Sequence, residues 1–298
     1  MYSINRLPSE NFSIIQPLNL NEQALNLFIK RDDLIHPIIS GNKWRKLKYN
    51  ILHVQMNRMK GLITFGGAYS NHLLATAVAA KQTKIPSVGI VRGEELTKDS
   101  NSILSFCFSQ GMDLKFVSRN EYGYRDEPIY KQELLTEYTN FWMVPEGGGN
   151  YQGVVGCMEI MKETENDFDF VCVSQGTTTT SIGILLSIPE KTKLLVCPAL
   201  KSFDSIFEMR QRLLYMGFEQ EFIEEKLKQV IVLPTDELGK YGKATPEVKV
   251  FSNDFYKRTK INADYTYNAK SLFVLNKFIE INSLFKKKIL YIHTGGFS

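Results

Sequence analysis

Leu62-Ile63-Thr64-Phe65-Gly66-Gly67-Ala68-Tyr69-Ser70-Asn71-His72 is an apolar run, a glycine pair and a polar triplet, and the triplet opens an apolar-periodic stretch that continues to Gln82. A strand over 62–65 that passes through a glycine turn into a helix over 70–82 is the unit from which parallel sheets are built. The pattern recurs. Further strands are expected at 87–91, 114–117, 170–174, 194–197, 230–233 and 289–292. Further helices are expected at 43–59, 100–110, 152–164, 180–187, 203–216, 246–258 and 269–284. No internal repeat or low-complexity segment interrupts the series, so the chain reads as an α/β protein with parallel sheets flanked by helices.

A chain of 298 residues with 43% apolar composition has room for one large or two modest domains. The alternation breaks at Pro145-Glu146-Gly147-Gly148-Gly149-Asn150. Three consecutive glycines there read either as a hinge or tight turn, or as a backbone wall near a ligand. The division that follows is a smaller α/β domain over 40–149 and a larger one made of 1–39 and 150–298.

Composition excludes several classes of function. A formal net charge of +4, from 36 Lys plus Arg against 32 Asp plus Glu, is too mild to imply nucleic acid or an anionic membrane as partner. The densest cationic stretch, Lys286-Lys287-Lys288, precedes the apolar run Ile289 to Ile292 and reads as the solvated end of a helix and its turn. No apolar run approaches the roughly 18 residues of a membrane span. The opening Met1-Tyr2-Ser3-Ile4-Asn5-Arg6 lacks a basic-then-apolar signal layout, so a cytoplasmic protein is expected. Cys107, Cys157, Cys172 and Cys197 form no Cys-x-x-Cys pair, and His36, His53, His72 and His293 show no helical ligand spacing. No metal site is expected.

Four stretches carry candidate chemistry. In Ser40-Gly41-Asn42-Lys43-Trp44-Arg45-Lys46-Leu47, Gly41 and Asn42 can turn into a helix that sets Lys43 and Lys46 one turn apart on one face. A lysine at a helix mouth is disfavoured by the positive end of the dipole, a cost that is useful if the amine must become neutral and nucleophilic. Lys46 would then hold an anion; a plain basic helix face is the alternative. In Ser70-Asn71-His72, Ser70 is a good N-cap, while the triplet also offers a hydroxyl, an amide and an imidazole to one small molecule at the carboxyl end of a strand. Ser174-Gln175-Gly176-Thr177-Thr178-Thr179-Thr180 lies between a strand and an apolar helix, where hydroxyls and backbone N–H groups form a cradle for one phosphate; a simple turn and cap is the alternative. Near the C-terminus, Lys240-Tyr241-Gly242, Asp264-Tyr265-Thr266-Tyr267-Asn268-Ala269-Lys270 and His293-Thr294-Gly295-Gly296 place polar and aromatic groups beside expected loops.

Taken together, from Arg31-Asp32-Asp33 to His293-Thr294-Gly295-Gly296, these stretches resemble the family of pyridoxal-phosphate enzymes that contains D-cysteine desulfhydrase and 1-aminocyclopropane-1-carboxylate deaminase. The Gly-Asn-Lys-x-Arg-Lys-Leu match, followed in order by Ser-Asn-His and His-Thr-Gly-Gly, carries the resemblance. It implies the fold of the tryptophan synthase β-subunit group, fold type II, with two open twisted parallel-sheet domains and pyridoxal 5'-phosphate in the cleft between them. It implies that Lys43 is the Schiff-base lysine and that Lys46 helps hold the phosphate. Ser70 would contact the substrate carboxylate or act beside the leaving group, and Asn71 would contact the cofactor ring. Gly176, Thr177, Thr178, Thr179 and Thr180 would cradle the phosphate, Tyr241 and Tyr267 would be the active-site tyrosines, and Thr294 would face the pyridine nitrogen. A homodimer acting on a small amino acid is also implied.

The family's ring-opening deaminases typically direct a glutamate at that nitrogen, and none stands at 293–296. A neutral Thr294 favours β-elimination from a small D-amino acid such as D-cysteine, with ring opening of 1-aminocyclopropane-1-carboxylate and silent cofactor binding as alternatives. Four residues depart from the family pattern. Trp44 replaces a common Thr and would narrow the cleft, and Tyr69 replaces a common Gln and sets a phenol at the substrate's edge. Thr178 and Thr179 stand where glycines are usual, so a left-handed backbone there would be strained.

Overall fold

The computed structural model describes residues 8, 13–20, 26–164 and 167–296, so the opening residues from which the lack of a signal was read lie outside the described part. In chain order it begins with β1 (Ile15–Pro17), β2 (Leu27–Lys30), α1 (Asn42–Met56), β3 (Gly61–Gly67), α2 (Asn71–Thr83), β4 (Ser87–Arg92), α3 (Ser102–Ser109) and β5 (Met112–Val117). There follow α4 (Arg119–Gly123), α5 (Pro128–Glu137), β6 (Phe141–Val144), α6 (Tyr151–Lys162), β7 (Phe170–Gln175), α7 (Thr179–Ser187) and β8 (Lys193–Pro198). The chain closes with α8 (Ser205–Tyr215), α9 (Gln220–Leu227), β9 (Val230–Val232), α10 (Pro246–Thr259), α11 (Asn268–Ile281) and β10 (Ile289–Ile292).

The chain divides into two compact units, whose described residues are 8 and 36–156 in the first and 13–20, 26–35, 157–164 and 167–296 in the second. The first holds a four-stranded sheet in the order β5-β4-β3-β6, parallel throughout, with Thr64 opposite both Gly89 and Val144. Its faces are covered separately. Ile63, Phe65, Val88 and Ile90 pack with Tyr122 and Leu134, and Val91 and Met112 pack with Leu73, Ala77, Leu104 and Cys107. A sheet buried on both faces needs unbroken apolar strands, which is why β3 and β4 read as such.

The second unit holds a six-stranded sheet in the order β1-β2-β10-β7-β8-β9. It is parallel as expected, with one short edge strand, β1, added antiparallel to β2 with Ile15 opposite Lys30. Leu272, Leu275 and Ile279 of α11 and Phe255 of α10 pack on Ile29, Cys172, Leu195 and Tyr291. Each fully buried Leu or Ile contributes about 1.5–3 kcal/mol relative to exposure. All four cysteines are buried and unbridged, and Cys172 and Cys197 lie 3.8 Å apart on neighbouring strands. Burial pushes the Cys172 thiol well above its ordinary pKa. The tri-lysine stretch lies past the end of α11, and Lys287 pairs there with Asp169 at 3.1 Å. Among the described residues no helix is long and apolar enough to cross a membrane, and no group of acidic, His and Cys side chains is arranged to hold a metal.

In the first unit the backbones of Gly156 and Arg45 meet without a gap. A Cβ on Gly156 would stand 1.8 Å from the Arg45 carbonyl oxygen and 2.8 Å from its carbon, atoms that cannot rotate away. Gly156→Ala is expected to cost at least about 2 kcal/mol, read as a lower urea midpoint with an unchanged slope. An unchanged midpoint would show that α1 shifts freely here.

Candidate active site

In the first unit α1 starts where Gly41 turns at φ 61°, ψ −137°, a backbone that glycine adopts without strain. Lys43 follows in the first turn, and its Nζ donates to Asn42 Oδ1 at 2.8 Å. Lys46, one turn on, is 4% exposed, and the Trp44 ring between them is 6% exposed. The large ring is thus absorbed into packing. Behind Lys46 lies the glycine turn. Gly148 has φ 73°, and a Cβ there would stand 2.8 Å from Lys46 Cβ and 3.5 Å from His72 Cε1. Gly148 N donates to Pro145 O at 2.9 Å, so the glycine triplet takes part in a tight turn whose Gly148 backbone lies against the Lys46 stem.

Ser70 caps α2, its Oγ accepting from Leu73 N at 3.3 Å while its own N donates to Gly67 O at 3.0 Å. Gly66 makes this turn possible, since a Cβ on it would lie 2.7 Å from both Cβ and Oγ of Ser70. Ser70 and Asn71 are half-buried at the carboxyl end of β3, whereas Tyr69 is 77% exposed. His72 departs from the expectation that all three members of the triplet face one small molecule. Its side chain turns back to the sheet, where Nε2 meets Thr64 Oγ1 at 2.9 Å and Thr64 in turn donates to the Val144 carbonyl at 3.0 Å. The Thr64 proton is thereby committed, so His72 Nε2 carries the hydrogen and Nδ1 keeps a lone pair, with no partner among the described residues. Burial first, then the charges of Lys46 and Lys43, push the imidazole down to about 3, so it is uncharged at neutral pH.

In the second unit β7 ends at Gln175 and the threonine loop leads into α7. Thr178 has φ −74°, ψ −6°, and neither it nor Thr179 is left-handed, so the strain expected from threonines in glycine positions does not arise. Gly176 serves space rather than φ, because a Cβ there would stand 3.0 Å from Tyr267 Cε1 and 3.3 Å from its hydroxyl. The loop is pinned from below. Gln175 Nε2 donates to Ser181 Oγ at 2.7 Å, and Ser181 donates to Thr178 O at 2.8 Å. Thr177 and Thr179 hydroxyls lie 3.3 Å apart, and Thr180 is buried beside Cys157. Thr178 Oγ1 is buried and has no partner among the described residues. An orphaned hydroxyl at the mouth of a nine-residue helix, beside the backbone N–H groups of its first turn, fits a phosphate.

Tyr267 also meets Tyr241, their hydroxyls 2.8 Å apart and their rings edge-on. Two residues that sequence reasoning passed over hold this group. Asp264 Oδ1 accepts from the backbone of Thr266 at 3.0 Å and of Tyr267 at 2.8 Å, and Oδ2 accepts from Asn268 Nδ2 at 2.6 Å. Asn268 Nδ2 also donates to Gly295 O at 2.8 Å, tying the tyrosine loop to the turn that follows β10. The signal for this was an Asp three residues before the start of a Tyr-Asn helix opening, an Asx-type turn. Lys270 donates to the carbonyls of Gly239 and Lys240, fixing the loop that carries Tyr241. Thr294, 4% exposed, pairs with Ser174 Oγ at 3.0 Å, and His293 braces the turn by meeting Asn262 O at 2.7 Å while accepting from Gly295 N.

No protein-family model matches the chain. It is 29% identical over 287 residues to a Pyrococcus horikoshii protein provisionally named as a 1-aminocyclopropane-1-carboxylate deaminase, covering 93% of this chain and 86% of that one. It is 26% identical to the bifunctional D-cysteine desulfhydrase/1-aminocyclopropane-1-carboxylate deaminase of Arabidopsis thaliana, a mitochondrial protein, over 97% of this chain and 79% of the other. The crystal structure of a homologue of 1-aminocyclopropane-1-carboxylate deaminase superposes with a TM-score of 0.77 at 25% identity, over 98% of this chain and 91% of that one. An L-serine ammonia-lyase from Rhizomucor miehei, at 14% identity and TM-score 0.66, shares the fold. By sequence and by fold, the chain is a homologue of the 1-aminocyclopropane-1-carboxylate deaminases and D-cysteine desulfhydrases, with the α/β architecture of pyridoxal-phosphate fold type II.

Proposed function

We propose that this chain is a pyridoxal-phosphate-dependent lyase that removes the β-substituent and the amino group of a small D-amino acid, converting D-cysteine and water to pyruvate, sulfide and ammonia. The coarser half of this reading, a pyridoxal-phosphate lyase or deaminase, rests on the names of the relatives over nearly the whole chain. The choice of elimination rests on Thr294. It offers a neutral, buried hydroxyl that is already paired with Ser174, and the carboxylate next to its turn, Asp264, is spent on the backbone of the Tyr267 loop.

Bound pyridoxal phosphate supplies a sink for the negative charge that develops at the substrate Cα. Lys43 is the residue assigned to carry it, with Asn42 holding the amine in place, and the Gly176 to Thr180 loop with Lys46 is assigned to its phosphate. A threonine hydroxyl directed at the ring nitrogen supplies a hydrogen bond and no negative charge, so it does not hold a proton there as a glutamate would. A weaker sink suits a reaction in which a good leaving group departs as the Cα proton is taken. Ser70, half-buried at its turn, is assigned to bind the substrate carboxylate or the departing group. The Tyr241 and Tyr267 hydroxyls, in contact with each other, can hold or pass one proton. The second unit, the larger of the two, is taken as the cofactor-binding domain, and the same reading carries a cytoplasmic homodimer.

Lys43→Ala is expected to abolish the visible absorption of covalently held cofactor while leaving far-UV circular dichroism unchanged; a retained band would overturn the lysine assignment. The purified, cofactor-loaded protein is expected to release pyruvate from D-cysteine and at least about tenfold less 2-oxobutyrate from 1-aminocyclopropane-1-carboxylate. Thr294→Glu is expected to narrow or reverse that ratio. If 2-oxobutyrate dominates in the unmodified protein, the neutral hydroxyl does not set selectivity and the deaminase reading replaces this one.

A further inference from the structure

The first unit holds a cavity of about 520 Å³ lined by Ala68, Tyr69, Arg92, Glu95, Leu96 and Arg119. Its position follows from strand register. Gly67, Arg92 and Val117 are neighbours at the carboxyl ends of β3, β4 and β5, so the turns that leave these strands surround one space. Ser70 and Asn71 follow directly on the Ala68-Tyr69 wall.

The charges in this space do not cancel. Glu95 and Arg119 form a two-pronged ion pair, one prong at 3.1 Å, and the arginine holds the Glu95 carboxyl below its usual range. Arg92 has no ion-pair partner among the described residues. Arg92 is exposed, and its guanidinium lies 5.7 Å from the ring centre of Tyr122, a residue only 2% exposed. The next carboxylate beyond the ring, Glu146, is taken by Arg125 at 2.8 Å. Arg92 Nη2 would stand 3.5 Å from a Cβ on Gly67, which places the guanidinium over the turn that Ser70 closes by bonding to Gly67 O. The residues that line the cavity thus carry one net positive charge, with the exposed Glu94 outside the lining acting on Arg119, and they add a phenol at Tyr69 and an apolar side chain at Leu96, with ample volume for a side chain of several heavy atoms.

We propose that this cavity receives the side-chain end of the amino-acid substrate, that the preferred substrate carries a carboxylate there, and that Arg92 is the residue that binds it. A planar guanidinium presents paired N–H donors to a carboxylate, whereas a bare thiol such as that of D-cysteine leaves the cavity unfilled. The inference rests on the elimination reading for the α-amino-acid portion and on the cavity alone for the distal charge.

Two near-isosteres separate these parts. S-carboxymethyl-D-cysteine and S-carbamoylmethyl-D-cysteine differ by one charge, and both would yield pyruvate by β-elimination of the corresponding thiol. With the cofactor-loaded protein, kcat/KM is expected to favour the carboxymethyl compound about tenfold. Arg92→Gln should bring the ratio to near one, and Arg92→Lys, which keeps the charge without the fork, should leave an intermediate ratio. Calorimetric Kd values for the two compounds should show the same order, and the difference should shrink in high salt because the cavity is open to solvent. A ratio near one in the unmodified protein, or one unaltered by Arg92→Gln, overturns the proposal. If no compound yields pyruvate, the elimination reading fails, and the Kd ratio alone then decides whether the cavity selects a carboxylate.

Discussion

Parallel pairing sends the carboxyl ends of neighbouring strands to one edge of a sheet, and several of the turns with candidate chemistry in this chain follow such ends. In the first unit β3 delivers the Ser70 turn, β4 delivers Arg92 and β6 delivers the glycine turn against Lys46. In the second, β7 delivers the threonine loop and β10 delivers Thr294, brought beside Ser174 by the register of those two strands. The apolar strand interiors hold the sheets, and the edge is left for polar groups that could not be satisfied inside.

A second layer of residues fixes the polar edge. Asp264 accepts several donors from the four residues after it, and Asn268 extends that grip to Gly295, so Tyr267 and the turn after Thr294 are parts of one hydrogen-bonded piece. His72 plays the matching part in the first unit. Its imidazole is clamped to Thr64 and kept neutral by burial and by two lysines, so it adds no third positive charge beside them. A protonated ring there would repel the ammonium groups and demand solvation that the site does not provide.

Much of the fold was legible in the sequence because its strands are buried on both faces and its main helices carry a strong apolar stripe. The segments that escaped have weak local signals. α5 buries only Tyr130 and Leu134, and its polar residues show no stripe. β1 has three residues and gains its strand character from pairing with β2. β6 is an aromatic run whose role is fixed by lying beside β3, which local pattern does not reveal. In the candidate site, Lys43, Lys46, Ser70 and Asn71 stood out because a local turn sets them. Asp264 did not, since its work is to hold backbone donors, and Arg92 resembled any surface cation until register placed it over Gly67. The backbone angles of Thr178 and Thr179 lay beyond reach too, because residue type restricts φ without choosing it.

Gly66 and Gly67 are adjacent and look interchangeable, yet their surroundings are opposite. Beside Gly66 the first atoms met are the Leu73 stem and Ser70 itself, at 2.7 Å, while beside Gly67 only the end of the long Arg92 side chain lies within reach. Drift in this turn is therefore lopsided: the first glycine is closed to variation, and the second is a place where lineages can differ by a methyl group. Such a change would reshape the neighbouring cavity and leave the serine where it is, so descendants of one scaffold can diverge in diet without relearning how to fold.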